Sequence, residues 1–272
     1  MISICIPTYN GERYLLEALH SVEAQSFHDF EVIISDNTSD DNTLAIAKTW
    51  AQQQTFPVHI YENHEKGIGK NWNFCIKKSS GKYIKFLLQD DTLEKNCLQT
   101  FVDALSYKNH THDVILCQRN IIGENTAYTR EWESNNSNLQ VGFQPDENGN
   151  YIIDREFLKT PSFYERCVNK FGEPTALFIK KDVFDTIGLY NENMKQLLDL
   201  ELYHRYLKIG KILILKEKLV NFRLHENQAT YQNLSHSDSE RERYIRYTIP
   251  KNYFFFLPWK KIIKQKITKC FR

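Results

Sequence analysis

The feature that most restricts this chain is an alternation in its first third. Ile2-Ser3-Ile4-Cys5-Ile6, Phe30-Glu31-Val32-Ile33-Ile34-Ser35, Val58-His59-Ile60-Tyr61 and residues 83–88 are short runs rich in β-branched and aromatic side chains, the pattern of buried strands. Between them, residues 12–25, 44–54 and 71–78 carry apolar side chains at helical spacing. Three of the strands stop at polar clusters: Pro7-Thr8-Tyr9-Asn10-Gly11, the Asn- and Asp-rich stretch 36–43, and Gln89-Asp90-Asp91-Thr92. A βαβαβαβ order predicts an α/β domain with a doubly wound, mostly parallel sheet and right-handed crossovers. That topology gathers the three clusters on one edge, where open α/β sheets bind ligands. Asp-Asp at a strand end is by itself also an ordinary surface turn. Three converging loops with hydroxyl, amide and carboxylate groups instead predict a nucleotide-sized site.

The remainder is read more coarsely. A helix is expected at 98–107 and a strand at 113–117. Residues 120–160, rich in Asn, Gly, Glu and Tyr, are too long for a connector and predict a lid or an accessory substrate surface. Pattern returns with a turn into a strand at 172–179, a short helix at 181–187 closed by Gly188, a helix at 197–207, and strands at 212–215 and 219–225. Residues 1–228 thus read as one domain, 1–118 carrying the nucleotide-sized site and 119–228 the accessory substrate surface. The tail 229–272 is separate in character. From Lys251 onward it has no acidic residue, and Trp259, Ile262, Ile263, Ile267, Cys270 and Phe271 fall on one helical face among Lys260, Lys261, Lys264, Lys266 and Lys269. Such a helix suits an anionic membrane surface, where each cation contributes about 1 kcal/mol.

Bulk composition narrows the setting. A net charge of +1 with 25% charged residues gives no reason to expect nucleic acid. The six cysteines are scattered without a C-x-x-C pair, which predicts free thiols in a reducing cytoplasm. The first residues carry no basic region or cleavage site, and no apolar run approaches the ~18 residues of a spanning helix.

Ile4-Cys5-Ile6-Pro7-Thr8-Tyr9-Asn10, Gln25-Ser26-Phe27, residues 30–43, Gly81-Lys82-Tyr83-Ile84 leading to Gln89-Asp90-Asp91, Gly172-Glu173-Pro174, Gly188-Leu189-Tyr190, Asp199 and Phe222-Arg223-Leu224-His225 together resemble family 2 glycosyltransferases of the GT-A fold. The resemblance implies a nucleotide-sugar donor held along the strand ends by Pro7, Thr8, Tyr9, Asn10, Glu12, Asp36, Asn37, Lys70, Gln89, Asp90 and Arg223. Thr8 and Tyr9 would line base and ribose, and Asp36 with Asn37 would face the base edge. Asn37 stands where a second Asp is common, so UDP is favoured but another pyrimidine edge is also served. Asp90 would take the ribose side and Asp91 the metal, Mn²⁺ or Mg²⁺, with His225 as a further ligand or a packed histidine. Gln89 replaces the motif's first carboxylate. Asp199 is the candidate base of a single, inverting displacement, with Glu201 as its rival. The implied activity is transfer of a sugar to a glycan or lipid-linked acceptor in surface polysaccharide synthesis, by an enzyme peripheral on the inner face of the cell membrane. A non-catalytic sugar-nucleotide binder and a nucleotidyltransferase are the alternatives, the latter lacking a Gly-rich basic loop after the first strand.

Overall fold

β1 (Ile2–Thr8) and β2 (Phe30–Asp36) are buried at every position, because strands with no polar face must be covered on both sides. The structure is a computed structural model and describes residues 1–124, 126–228, 231 and 234–258. With α1 (Leu15–Glu23), α2 (Thr43–Ala51), β3 (Val58–Glu62), α3 (Ile68–Lys78) and β4 (Tyr83–Phe86), these strands complete the expected alternation. β3, β2, β1 and β4 lie side by side and parallel. The turn into β4 is gathered by Glu31, a buried acid whose Oε1 accepts from Ser3 Oγ (2.6 Å), Ser80 N (2.6 Å) and Gly81 N (3.2 Å). Gly81 lies so close to β1 that a Cβ there would stand 2.6 Å from Ser3 N.

The second half comprises β5 (Thr92–Leu93), α4 (Cys97–Ala104), β6 (Val114–Gly123), α5 (Ala127–Asn136), β7 (Tyr151–Ile153), α6 (Pro161–Tyr164), β8 (Leu177–Lys180), α7 (Val183–Ile187), α8 (Leu198–Tyr206) and β9 (Ile212–Leu224). The sheet order is β3-β2-β1-β4-β8-β6-β9-β5, with β7 beside β9. The expected mostly parallel sheet is instead mixed, since β8 is antiparallel to β4 and β6, and β5 and β7 are antiparallel to β9. This reversal has a functional consequence. An antiparallel strand begins where its neighbours end, so Glu173, Pro174 and Thr175, just before β8, arrive at the edge that carries the β1 and β4 loops.

Two further expectations change. The runs 212–215 and 219–225 are one strand, and Lys216-Glu217-Lys218 between them falls at a bulge in the β6–β9 pairing. Residues 120–160 contain regular structure: β6 extends to Gly123, and α5 starts with a reciprocal cap in which Thr126 Oγ1 accepts from Thr129 N and Thr126 N donates to Thr129 Oγ1. α5 hides from a periodicity search because it is polar nearly all round.

The first part of the tail packs onto the domain. Tyr244, Ile249, Tyr253 and Leu257 are buried, each contributing roughly 1.5–3 kcal/mol by leaving water. They cover α8, where the ring of His204 lies 4.8 Å from Phe163 and its Nδ1 is 3.1 Å from the Tyr244 hydroxyl. The basic helix read at 259–272 lies outside the described residues. Among the described residues no helix is long and apolar enough to cross a membrane.

Burial pushes the His204 imidazole from its ordinary 6.5 down to about 3. Because the folded value is depressed, the folded chain stays neutral while the unfolded chain takes a proton. His204 therefore contributes stability that is complete above pH 6.5 and is lost as pH falls toward 3. At pH 5 the loss amounts to about 2 kcal/mol. Urea unfolding at pH 7 and pH 5 should show this as a difference that His204→Phe abolishes; an equal acid sensitivity in the variant would contradict it.

Candidate active site

The three loops foreseen from sequence meet and are bonded to one another. Thr8 Oγ1 donates to Asp36 Oδ1 (3.1 Å), Asn10 N to Ser39 Oγ (2.9 Å), Asp40 N to Asn10 Oδ1 (3.0 Å) and Gly11 N to Thr43 Oγ1 (2.7 Å). Asn10 adopts φ 46°, a left-handed backbone that asparagine tolerates. α3 stitches the strand ends beneath, with Asn71 Nδ2 donating to Thr8 O (3.2 Å) and Ser35 O (2.9 Å). Gln89 closes the rim by pairing with the backbone of Tyr9 in both directions, Tyr9 N to Oε1 at 2.8 Å and Nε2 to Tyr9 O at 2.9 Å. Its side chain lies where a Cβ at Gly11 would have to go, 2.4 Å from Oε1. The cleft so framed holds about 780 Å³, in the range of small-molecule sites.

Pro7, Thr8, Tyr9, Asn10, Asn37, Gln89, Asp90 and His225 line this cleft, joined by residues the sequence did not single out: Arg13, Tyr14, Lys66, Trp72, Leu88 and Gln228. Gln228 is buried, with Oε1 accepting from His225 N (3.0 Å) and Nε2 without a hydrogen-bond partner. It is thus a donor group set in the cleft wall. The sequence signal for the missed side was Gly67-Ile68-Gly69 opening α3, where a Gly-rich turn meets a helix start.

Several expected ligand contacts are spent on the scaffold. Asn37 donates from Nδ2 to Asn63 O (2.8 Å) and Glu65 O (3.0 Å) and accepts from Gly67 N (3.0 Å). It holds the 63–67 loop, and both its amide hydrogens are occupied. Asp36 is buried and accepts from Thr8, Ser39 N (2.9 Å) and Ser39 Oγ (2.6 Å). Glu12 binds Asn42, and Lys70 faces Glu65 at 3.8 Å, so Lys66 rather than Lys70 is the lysine on the cleft. Arg223 lies behind the acids, its Nε donating to Asp90 O (2.8 Å) and its Nη2 meeting Glu17 Oε2 (2.6 Å).

The two acids, read from sequence as ribose-side Asp90 and metal-side Asp91, are placed differently, and only Asp90 lines the cleft. Asp91 is fully buried and off the cleft, with Oδ2 accepting from Thr175 Oγ1 (2.5 Å) and Oδ1 from Arg223 N (2.9 Å). Burial, reinforced by Asp90, pushes its carboxyl well above the usual carboxylate range. Below it Lys85, also fully buried, donates to Thr175 O and to Phe86 O. Asp90 points into the cleft, with Oδ2 2.9 Å from His225 Nε2, whose ring sits 4.9 Å from that of Tyr14. The two acids sit in the turn between β4 and β5, where only Asp90 faces the cleft.

Among the described residues no group of three or more His, Cys, Asp or Glu converges as a metal cage. Asp90 and His225 nonetheless offer a carboxylate oxygen and an imidazole nitrogen side by side on the cleft. A two-ligand set suits Mg²⁺ or Mn²⁺ that takes its other ligands from a diphosphate and water.

Asp199 stands behind the wall formed by Ile68 and Trp72. Gly69 lets the start of α8 approach, for a Cβ there would lie 2.9 Å from Leu198 and 3.2 Å from Glu192, and Trp72 meets Tyr190 edge-on at 5.0 Å. The Asp199 side chain is half-buried and does not line the cleft; its Oδ1 accepts from Leu200 N (2.8 Å). Burial, with Glu173 nearby, raises its carboxyl to about 7. Glu201 is bound to Arg205 (2.8 Å), which also holds the carbonyls of Gly188 and Leu189.

The description Glycosyl transferase family 2 matches residues 3–188. This chain belongs to that family. Abequosyltransferase RfbV of Salmonella typhimurium is 32% identical over 201 residues, covering 69% of this chain and 55% of its own length. The structure of Staphylococcus aureus TarS 1–349 in complex with UDP-GlcNAc superposes with a TM-score of 0.64 at 21% identity, over 84% of this chain and 60% of that one. Mannosyltransferase PcManGT from Pyrobaculum calidifontis, in complex with GDP-Man and Mn²⁺, superposes with a TM-score of 0.62 at 13% identity, over 92% and 64%. This family 2 chain therefore shares the GT-A fold with the two solved structures and spans less than two thirds of the length of each of the three proteins.

Proposed function

We propose that this family 2 chain is an inverting glycosyltransferase that moves a sugar from a nucleoside diphosphate donor, UDP in the first instance, to a glycan or lipid-linked acceptor in surface polysaccharide synthesis. The observation that carries the reading is the pairing of Asp90 with His225 on a cleft at the ends of parallel strands, with a weakly acidic Asp199 behind one wall. The names of RfbV and TarS, and the UDP-GlcNAc and GDP-Man of the solved complexes, support the donor class. The loops after β1 and β2 hold the nucleoside, with Tyr9, Tyr14 and Trp72 as apolar faces. Arg13 and Lys66 are the cations on the cleft that meet anionic phosphate. Asp90 and His225 would hold Mn²⁺ or Mg²⁺, which when bound neutralises charge on the departing diphosphate. An acceptor that reaches Asp199 past that wall would give its proton to it, and a single displacement would invert the sugar carbon.

Thermal shift across UDP-, GDP-, CDP- and dTDP-sugars, with and without Mn²⁺, tests the donor class. A Mn²⁺-dependent rise with one donor, followed by its slow hydrolysis, is expected. No shift with any of them would sink the reading. Membrane attachment through residues 259–272 belongs to the same proposal: Phe255 is 93% exposed beside Phe254 and Lys251, where the described chain nears its end. Deletion after Pro258, which leaves Tyr253 and Leu257 in place, should release the protein from anionic vesicles.

A further inference from the structure

The chain between α7 and α8, residues 188–197, has no regular structure and ends at Leu197, whose backbone is left-handed (φ 56°). A leucine in that conformation costs roughly 1–2 kcal/mol and persists only where its surroundings impose it. The start of the loop is fixed to α3. Asn73 Nδ2 donates to Tyr190 O (2.9 Å) and Glu192 Oε1 (2.9 Å), and Asn73 Oδ1 accepts from Tyr190 N (2.9 Å). The end of the loop is held from elsewhere. Glu240, on the helix Leu234–Arg243, accepts from Lys195 N at Oε2 (3.0 Å) and from Gln196 N at Oε1 (2.9 Å). It is only 6% exposed, unusual for a glutamate, and buried acids are kept where hydrogen bonds hold them.

We propose that Glu240 is a positioning residue for the reaction: by binding the two amides ahead of Leu197 it sets the left-handed turn, and through that turn the direction in which the Asp199 carboxylate leaves α8. This rests on the reading of Asp199 as base. Glu240 lies beyond residues 3–188, the stretch matched to the family, so the clamp is a property of this chain's C-terminal segment. A merely structural role, anchoring that segment, is separable. Tyr244, Ile249, Tyr253 and Leu257 bury themselves independently and keep the segment seated without Glu240.

The test uses the full chain and the nucleotide sugar, from the panel above, that it hydrolyses in Mn²⁺. Glu240→Gln keeps size and one acceptor oxygen; Glu240→Ala removes both. The expected result is a fall in kcat of about tenfold in Glu240→Gln and about 100-fold in Glu240→Ala, the scale of a small misplacement of a reacting group. Donor KM should stay within about twofold, since the cleft is untouched. Hydrogen exchange should quicken at 195–201 and stay unchanged at 244–257. Unchanged kcat in both variants, or exchange quickening equally at 244–257, overturns the proposal. Should Glu240→Ala fail to fold, Glu240→Gln decides alone. Asp199→Asn separates the two readings: if it abolishes hydrolysis while Glu240→Gln does nothing, the clamp fails and the base stands; if it leaves hydrolysis intact, both fall.

Discussion

Replacing Asp199 by Asn is expected to stop sugar transfer and, at the same time, to make the protein more stable at neutral and mildly alkaline pH. Asparagine has the same shape and still accepts from Leu200 N, but it cannot take a proton. The loss in kcat should be about 100-fold or more, the usual worth of a general base. The gain in stability follows from the raised carboxyl. Its folded value of about 7 lies above the ordinary 3.8. The unfolded chain therefore ionises first, and stability is lost as pH rises between the two values. Partial contact with water tempers the cost, and relief of about 2 kcal/mol at pH 8 is expected, or about 5 °C in Tm. In the parent, kcat/KM should climb as pH rises toward 7 and then level. A variant that retained transfer, or lost both activity and Tm, would remove Asp199 from the mechanism.

The second large effect separates the adjacent acids. Asp90→Asn should weaken donor binding in Mn²⁺ by at least about 100-fold, because it removes the carboxylate that shares the cleft with His225. Asp91→Asn should leave donor affinity within about threefold of the parent. Asp91 is held in the core with a carboxyl pushed well above the usual range, and an amide of the same shape still meets Arg223 N and Thr175. Asp91→Ala should instead reveal itself in stability, costing about 2–4 kcal/mol by leaving those two groups unpaired. Isothermal titration and thermal melts on the three variants decide between this division and the reverse, in which Asp91 is the acid that meets the metal.

How much of this was legible depends on what each residue does. The strands β1 and β2 announced themselves because parallel strands buried on both faces leave nearly unbroken apolar runs, and the loops at the strand ends converge by topology alone. Four things were hidden. Reversal of β8 has no local signature, since Leu177–Lys180 reads the same in either direction. The polar surface of α5 carries no period. The roles of neighbours such as Asp90 and Asp91, or Asn37 and Lys66, are set by which way a side chain points at the end of a strand or turn, and composition is blind to that. Residues joined across long stretches of chain, such as Glu240 with Lys195 and Gln196, are beyond any motif.

Lys85 has a use that concerns neither catalysis nor folding. Its amine is buried under the Thr175 carbonyl at the seam between β4 and β8, and burial lowers its pKa below that of an ordinary lysine. It is thus an amine with no access to reagent. An acylating probe can mark it only during moments when the seam parts, so the rate of its labelling would time the opening of the sheet directly under the acid pair, against the exposed lysines of the same molecule as an internal clock.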